Sequence, residues 1–173
     1  MATVLNNDQS RHIISILMEN EAGALSKVVN LFSARGYNIE SLSVAPTDDK
    51  SLSRLTLVTI ADGQVVEQIV KQLNKLIDVV KLTDLTDGAH VEREMMLIKV
   101  TAESEKNRAE LFRLNEMFRG RVLDVTPSTF TIEMTGDQEK LNAFIRAVKE
   151  LGIVEIVRSG ALGLVRGAKG LTL

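Results

Sequence analysis

The stretch "HIISILMENEAGALSKVVNLFSARGYNIESLSVAP", residues 12–46, decides the fold. After His12, residues 13–18 are apolar except for Ser15, and the run 12–18 predicts a buried strand. Leu25, Val28, Val29 and Phe32 then fall at i, i+3, i+4 and i+7, one face of a helix. Gly36 follows Arg35, where a left-handed residue ends a helix with little strain. Strand patterning returns over 38–45. Further on, 52–60 predicts a strand after the turn "PTDDKS". Val66, Ile69, Val70, Leu73, Leu76 and Ile77 predict a second helix with Asp62 as its cap, and "VVKLTDL" (79–85) closes the unit. The order is βαββαβ.

The order recurs. "EMMLIKVT" (94–101) predicts a strand, and Leu111, Leu114 and Phe118 a helix ending near Gly120. "RVLDVTP" and "TFTIEMT" predict two strands about a tight turn. Leu141, Phe144, Ile145 and Val148 predict a helix from Asp137 to about Gly152, and "IVEIVRSGALGLV" (153–165) a last strand. Ile13–Leu17 aligns on Met96–Val100 at an offset of 83, Pro46 on Pro127 at 81, and "VVKL" on "IVEI" at 74. The second half is therefore shorter by 7 residues, mostly in its middle hairpin. Matching prolines, glycine stops and element order point to a structural repeat. A repeated βαββαβ with right-handed crossovers is an α+β fold of two tandem ferredoxin-like sandwiches. The expected organisation is a disordered N-terminal segment over 1–11, a first domain over 12–86, a linker over 87–93 and a C-terminal domain over 94–173.

Both central strands are apolar on both sides. Ile14, Ile16 and Met18 oppose Ile13 and Leu17, and Met96, Ile98 and Val100 oppose Met95 and Leu97. Helices can cover only one face of each sheet. The other face needs a cover or the edge an extension, expected from self-association, a larger partner, or both.

Composition narrows the function. Apolar residues are 45 % of the 173, enough for packed cores, while aromatics are only 3 %, so the cores are aliphatic and base-stacking platforms scarce. Lys and Arg number 21 against 23 Asp and Glu, and a net charge of −2 gives no field favouring nucleic acid or an anionic membrane. There is no cysteine for a disulfide or thiolate metal site. The start "MATVLNNDQS" does not read as a signal peptide, and no apolar run is long enough to span a bilayer. A soluble, cytoplasmic protein is expected.

Catalytic groups are few. His12 opens a strand, His90 sits in "TDGAHVERE", and no metalloprotease, P-loop or nucleophile-elbow motif occurs. Asp48 and Asp49 read as a solvated turn rather than a metal site, and "GALGLVRGAKG" (160–170) as a strand end and tail rather than a phosphate loop. Asn20 and Gly23 are different. Glycine permits close approach by a ligand, the following helix start suits a carboxylate, and an Asn amide meets either end of a free amino acid. A plain turn explains the same residues. The equivalent loop of the second half, "TAESEKNRAEL", has no glycine, so the shared fold does not by itself demand one.

"ENEAGALSKVVNLFSARGYNIESLSVAPTDD" resembles the N-terminal ACT domain of the small regulatory subunit of acetolactate synthase, also called acetohydroxyacid synthase. "GAHVEREMMLIKV", "FRGRVLDVTPSTFTIEMTG" and "IVEIVRSGALGLVRG" resemble the second domain of that subunit. The resemblance covers roughly 12–167. It implies a subunit without a catalytic site or bound cofactor of its own. Its large partner subunit holds thiamine diphosphate, Mg2+ and FAD and condenses two pyruvates, or pyruvate with 2-ketobutyrate. The small subunit activates that partner and makes it sensitive to valine, in branched-chain amino-acid biosynthesis. It implies homodimers paired through their ACT domains, with valine at the interface. Asn20, Gly23, Ala24 and Leu25 of one chain, and Asn38 and Ile39 of the other, fall on the valine-contacting motif. The alternative is a free-standing amino-acid sensor controlling transcription or another enzyme. Acyl-phosphate hydrolysis on the same fold lacks its glycine-rich, arginine-bearing anion loop here.

Overall fold

The computed structural model describes residues 9–172 and divides into two units, one of Met1–Val91 with Ala161–Leu173, the other of Glu92–Gly160. The first unit contains β1 (Ser10–Glu19), α1 (Ala24–Ala34), β2 (Ser41–Pro46), β3 (Leu52–Ala61), α2 (Gly63–Leu73) and β4 (Val79–Asp84). Its sheet runs β2-β3-β1-β4, with β1 antiparallel to both neighbours. β5 (His90–Thr101) leads into the second unit, followed by α3 (Glu105–Phe118), β6 (Arg121–Val125), β7 (Thr129–Gly136), α4 (Gln138–Val148), a short 3-10 turn and β8 (Ile153–Arg158). Here the sheet order is β6-β7-β5-β8, the same topology. Two βαββαβ sandwiches of the expected α+β class therefore form.

Local chemistry explains the helix ends. Asp62, Ser104 and Asp137 each accept a hydrogen bond from the backbone N–H three residues on, at 2.8, 3.1 and 2.8 Å, and so cap α2, α3 and α4. Gly36 takes φ 69 just beyond α1, as its place in the sequence predicts. The first core gathers Ile14, Ile16, Met18, Val28, Phe32, Leu55, Leu57 and Ile69; the second gathers Met96, Ile98, Val100, Leu111, Ile132 and Phe144.

Several boundaries differ from expectation. Ser10 and Arg11, expected within a disordered N-terminal segment, belong to β1, paired with Ala61 and Ile60; residues 1–8 lie outside the described residues. α2 ends at Leu73, and Ile77, placed on its apolar face by periodicity, is 88 % exposed. The repeat is offset by one residue from the sequence alignment. Met96, Ile98 and Val100 face their core as Ile14, Ile16 and Met18 face theirs, and the bulges after Leu17 and Lys99 coincide, giving an offset of 82.

The last predicted strand is broken. Ser159 and Gly160 turn the chain, Gly160 at φ 78. Buried Glu94 fixes this corner by accepting hydrogen bonds from Arg158 at 2.6 and 3.0 Å and from the Gly160 N–H at 3.2 Å. After the corner, β9 (Leu162–Val165) pairs with β5, and the segment carrying it groups with the first unit rather than forming the end of one domain over 94–173. Ala161 joins Ile13, Val58 and Leu85, and Leu171 joins Leu17 and Leu52. The apolar second face of the first sheet is thus covered by the chain's own C-terminal strap, an occupant absent from the expected ones. Gly163 is the close-packing point, since a Cβ there would stand 2.9 Å from Ile13 Cδ1.

Phe32→Ala and Phe144→Ala are each expected to destabilise the fold by about 3–5 kcal/mol, as large core truncations do. Ile77→Ala is expected to change stability by less than about 0.5 kcal/mol, contrary to its helical spacing. Urea denaturation followed by circular dichroism checks all three.

Candidate functional site

β1 ends at Glu19, and the loop to α1 lies against the β2–β3 hairpin. The Asn20 N–H donates to Ser51 O at 2.7 Å, its Nδ2 donates to Lys50 O at 2.9 Å, and its Oδ1 accepts from Ser53 Oγ at 3.0 Å. Asn20 is therefore a strut between loop and hairpin. One amide hydrogen and one oxygen lone pair remain for a ligand.

Gly23 is the N-cap of α1 at φ 89, ψ −13, and no side chain caps this helix. The backbone conformation alone accounts for glycine, because the left-handed region strains other residues. A Cβ there would meet nothing within 4 Å, so the space beside it is open. Ser104 occupies the corresponding cap of α3 and satisfies that helix start itself. The Ala24 N–H donates to Glu21 O at 3.2 Å; beyond it, the absence of a side-chain cap and the helix dipole leave α1 able to receive an anion.

A cavity of about 200 Å³ adjoins this helix start. Met18, Ala24, Leu25, Val44 and Pro46 give it an aliphatic wall, while Asn20, Ser53, Glu19 and Glu21 supply polar groups. Acidic side chains on one side and a helix N-terminus nearby suit a zwitterion with a small apolar side chain. The structure brings Asn20, Ala24 and Leu25 to one cavity. Gly23 does not line it; it precedes the lining residues Ala24 and Leu25 as the cap of α1. Glu19, Glu21, Val44 and Pro46 were not singled out from the sequence; their signal is position at strand ends, which becomes a site only when β1 and β2 are brought together.

Asn38 and Ile39 lie elsewhere within the chain. Asn38 O accepts from Thr59 Oγ1 at 2.7 Å, its Nδ2 donates to Glu40 Oε1, and Ile39 packs on the core. Thr59 and Ser53 are six residues apart on β3, so the two groups are about 20 Å apart at the strand rise of ~3.3 Å per residue. No single amino acid touches both within one chain.

The other polar candidates make hydrogen bonds within the chain. His12 is buried, bonded to Ser10 Oγ at 2.8 Å and Asp84 Oδ2 at 3.0 Å, and His90 Nδ1 bonds Gly88 O at 2.9 Å. Asp49 accepts from Ser51 Oγ and N–H at 2.7 and 2.9 Å, and these bonds hold its carboxyl below the usual range. Among the described residues no group of three or more potential metal ligands assembles, and no helix is long and apolar enough to cross a membrane.

The first unit is of the ACT class: residues 14–81 match the family described as the AHAS small subunit-like ACT domain. Residues 93–167 match the family described as the small subunit of acetolactate synthase. The chain is similar to the acetolactate synthase isozyme 3 small subunit of Escherichia coli K12, 55 % identical over 92 % of this chain and 98 % of that one. It is also similar to the acetolactate synthase small subunit of Haemophilus influenzae, 52 % identical over 93 % and 99 %. The crystal structure of the acetolactate synthase small subunit from Thermotoga maritima superposes with a TM-score of 0.82 at 39 % identity, over 92 % of this chain and 99 % of that one. The chain belongs to the acetolactate synthase small-subunit family.

Because the space beside Gly23 is open, Gly23→Ala is expected to cost only the conformational term, about 1–2 kcal/mol. Gly23→Asn is expected to cost less, since Asn visits the left-handed region readily. Thermal unfolding of the two variants checks the order.

Proposed function

We propose that this chain is the non-catalytic regulatory subunit of an acetolactate synthase, and that it binds valine between two copies of its ACT unit. The observation that carries this reading is the separation of the two halves of the motif along β3. β2 is an edge strand, and Val44 on it is 42 % exposed. An antiparallel β2–β2 contact about a two-fold axis sets the Pro46 end of one copy beside the Asn38 end of the other. Asn38 and Ile39 of the partner subunit then close the cavity formed by Asn20, Ala24 and Leu25. Isolated, each chain offers half of a site; paired, the dimer offers two.

In that site the α1 N-terminus receives the valine carboxylate, with Gly23 permitting its approach. Side-chain amides and the acidic residues at the end of β1 meet the ammonium, and Leu25, Val44 and Ile39 hold the isopropyl group. Valine inhibits because it binds one dimer arrangement better than another. A coupling of about 1–3 kcal/mol changes linked affinities roughly 5- to 150-fold. Selectivity against leucine is modest, since one methylene is worth about 1–3 kcal/mol. The pyruvate condensation, with thiamine diphosphate, Mg2+ and FAD, takes place on the large subunit. Family membership supports this partnership, and the family's relatives are named as small subunits of that synthase.

The test is a pyruvate-condensation assay of the matching large subunit, with and without this chain, across a valine titration. Added chain is expected to raise activity, and valine to lower it again. Gly23→Asp is expected to abolish inhibition while activation persists, because a carboxylate beside the helix start repels the ligand's own. Asn38→Ala is expected to weaken valine binding about tenfold, as loss of a hydrogen bond to a charged group does. Unchanged valine affinity in both variants by calorimetry, or a strictly monomeric chain in solution, refutes the interface site.

A further inference from the structure

The covered face of the first sheet carries chemistry that the valine site does not use. Ser43, Thr56, Ser15 and Thr83 stand opposite one another on β2, β3, β1 and β4, a row of four hydroxyls crossing the sheet. In the adjacent row, Arg54 stands opposite Leu17, and Lys81 opposite Leu17 on the other side. The strap passes over these rows and leaves a cavity of about 290 Å³, lined by Ser15, Arg54 and Thr83 below and by Gly167, Lys169 and Gly170 above, among others. This is near the ~300 Å³ at which small-molecule sites begin and far above the ~10–15 Å³ one water needs.

The lining is one-sided in charge. Arg54 and Lys169 contribute to it, and among the described residues no carboxylate does. Arg54 Nη1 donates to Ser15 Oγ at 3.1 Å, and Nη2 donates to the Leu171 carbonyl. Its Nε is buried and has no hydrogen-bond partner among the described residues. Burial pushes the guanidinium below its usual range, but an arginine stays charged at neutral pH. A partly desolvated cation with neutral partners calls for a counter-charge. Ser15 Oγ, accepting from Arg54, keeps its own proton to donate. Gly167 lies at φ 86 with open space where a Cβ would be, so the strap backbone is bare on that side.

We infer that this cavity binds a small oxyanion of the phosphate class, held by Arg54, Lys169 and the Ser15 and Thr83 hydroxyls, and that the bound anion fastens the C-terminal strap to the sheet. Two cations and two hydroxyl donors match a dianion with several acceptor oxygens better than a carboxylate with two. The site lies on the sheet face opposite the valine cavity, because Ser15 and Arg54 alternate with the core residues Ile14, Ile16 and Leu55.

The test is calorimetry of the full chain with inorganic phosphate, a phosphate monoester and acetate, at matched ionic strength. Amide hydrogen exchange of residues 164–171 is followed in parallel. Inorganic phosphate is expected to bind saturably and to slow exchange in the strap. A monoester that binds more tightly identifies a phosphorylated metabolite as the natural occupant, and equal binding identifies free phosphate. Lys169→Ala, an exposed position where folding is not at stake, is expected to weaken binding roughly tenfold, and Arg54→Met more. No saturable heat, acetate equal to phosphate, or full phosphate affinity in Lys169→Ala and Arg54→Met overturns the assignment. Neither variant is expected to change valine affinity, so a failure here is separable from a failure of the valine reading.

Discussion

β1 cannot be satisfied from one side. Seven consecutive residues, His12–Met18, are buried, and they alternate between two faces of the sheet. One face is closed by α1 and α2, which present Val28, Phe32 and Ile69 to Ile14, Ile16 and Met18. The other is closed by the strap, through Ala161 against Ile13 and Leu171 against Leu17. Burial on both faces follows from the sequence of β1. It explains why a segment separated from that strand by the whole second unit returns to it. Burying an aliphatic side chain stabilises by about 1.5–3 kcal/mol, so leaving Ile13, Leu17 and Leu85 bare would be a substantial loss.

The same scaffold is used twice with opposite treatment of one helix start. In the second unit Ser104 caps α3, and the site-forming potential of that terminus is spent locally. In the first, Gly23 supplies no side chain, and the helix dipole faces an aliphatic cavity at the sheet edge. α3 of the second unit also buries Asn115, whose Oδ1 has no hydrogen-bond partner among the described residues and lies close to Gly120. The two halves share topology and differ in what they leave unsatisfied, which is where ligand binding or docking can act.

Much of this fold was legible in order of elements. Periods of two and 3.6, Asp62 and Asp137 before their helices and Gly36 after α1 each carry a local physical signal, and each holds. The register of the repeat was less legible. Alternation reports a face only when one face is polar; β1 and β5 are apolar on both, so a one-residue slip between Ile13 and Ile14 as the partner of Met96 leaves no mark in the pattern. Ile77 extends the helical spacing past the real end of α2, where Asn74 already turns the chain. The sequence reads the strap as a strand end and tail, because no helix pattern opens after its glycines. Gly163 is small for packing reasons visible only once Ile13 and Leu85 stand above it. Of the candidate site, Asn20, Ala24 and Leu25 are contiguous enough to be read together. Val44 and Pro46 enter by sheet pairing, and Asn38 and Ile39 precede β2, with Asn38 beside Thr59 toward the far end of β3.

The strap also imposes an order on biosynthesis. The ribosome releases residues 12–86 long before 161–171, so the earlier sandwich emerges with one hydrophobic flank bare until the strap has followed the whole second unit out. During that interval Ile13, Val58 and Leu85 are available to chaperones or to a neighbouring nascent chain, and the N-terminal sandwich matures only after the C-terminal one has been made.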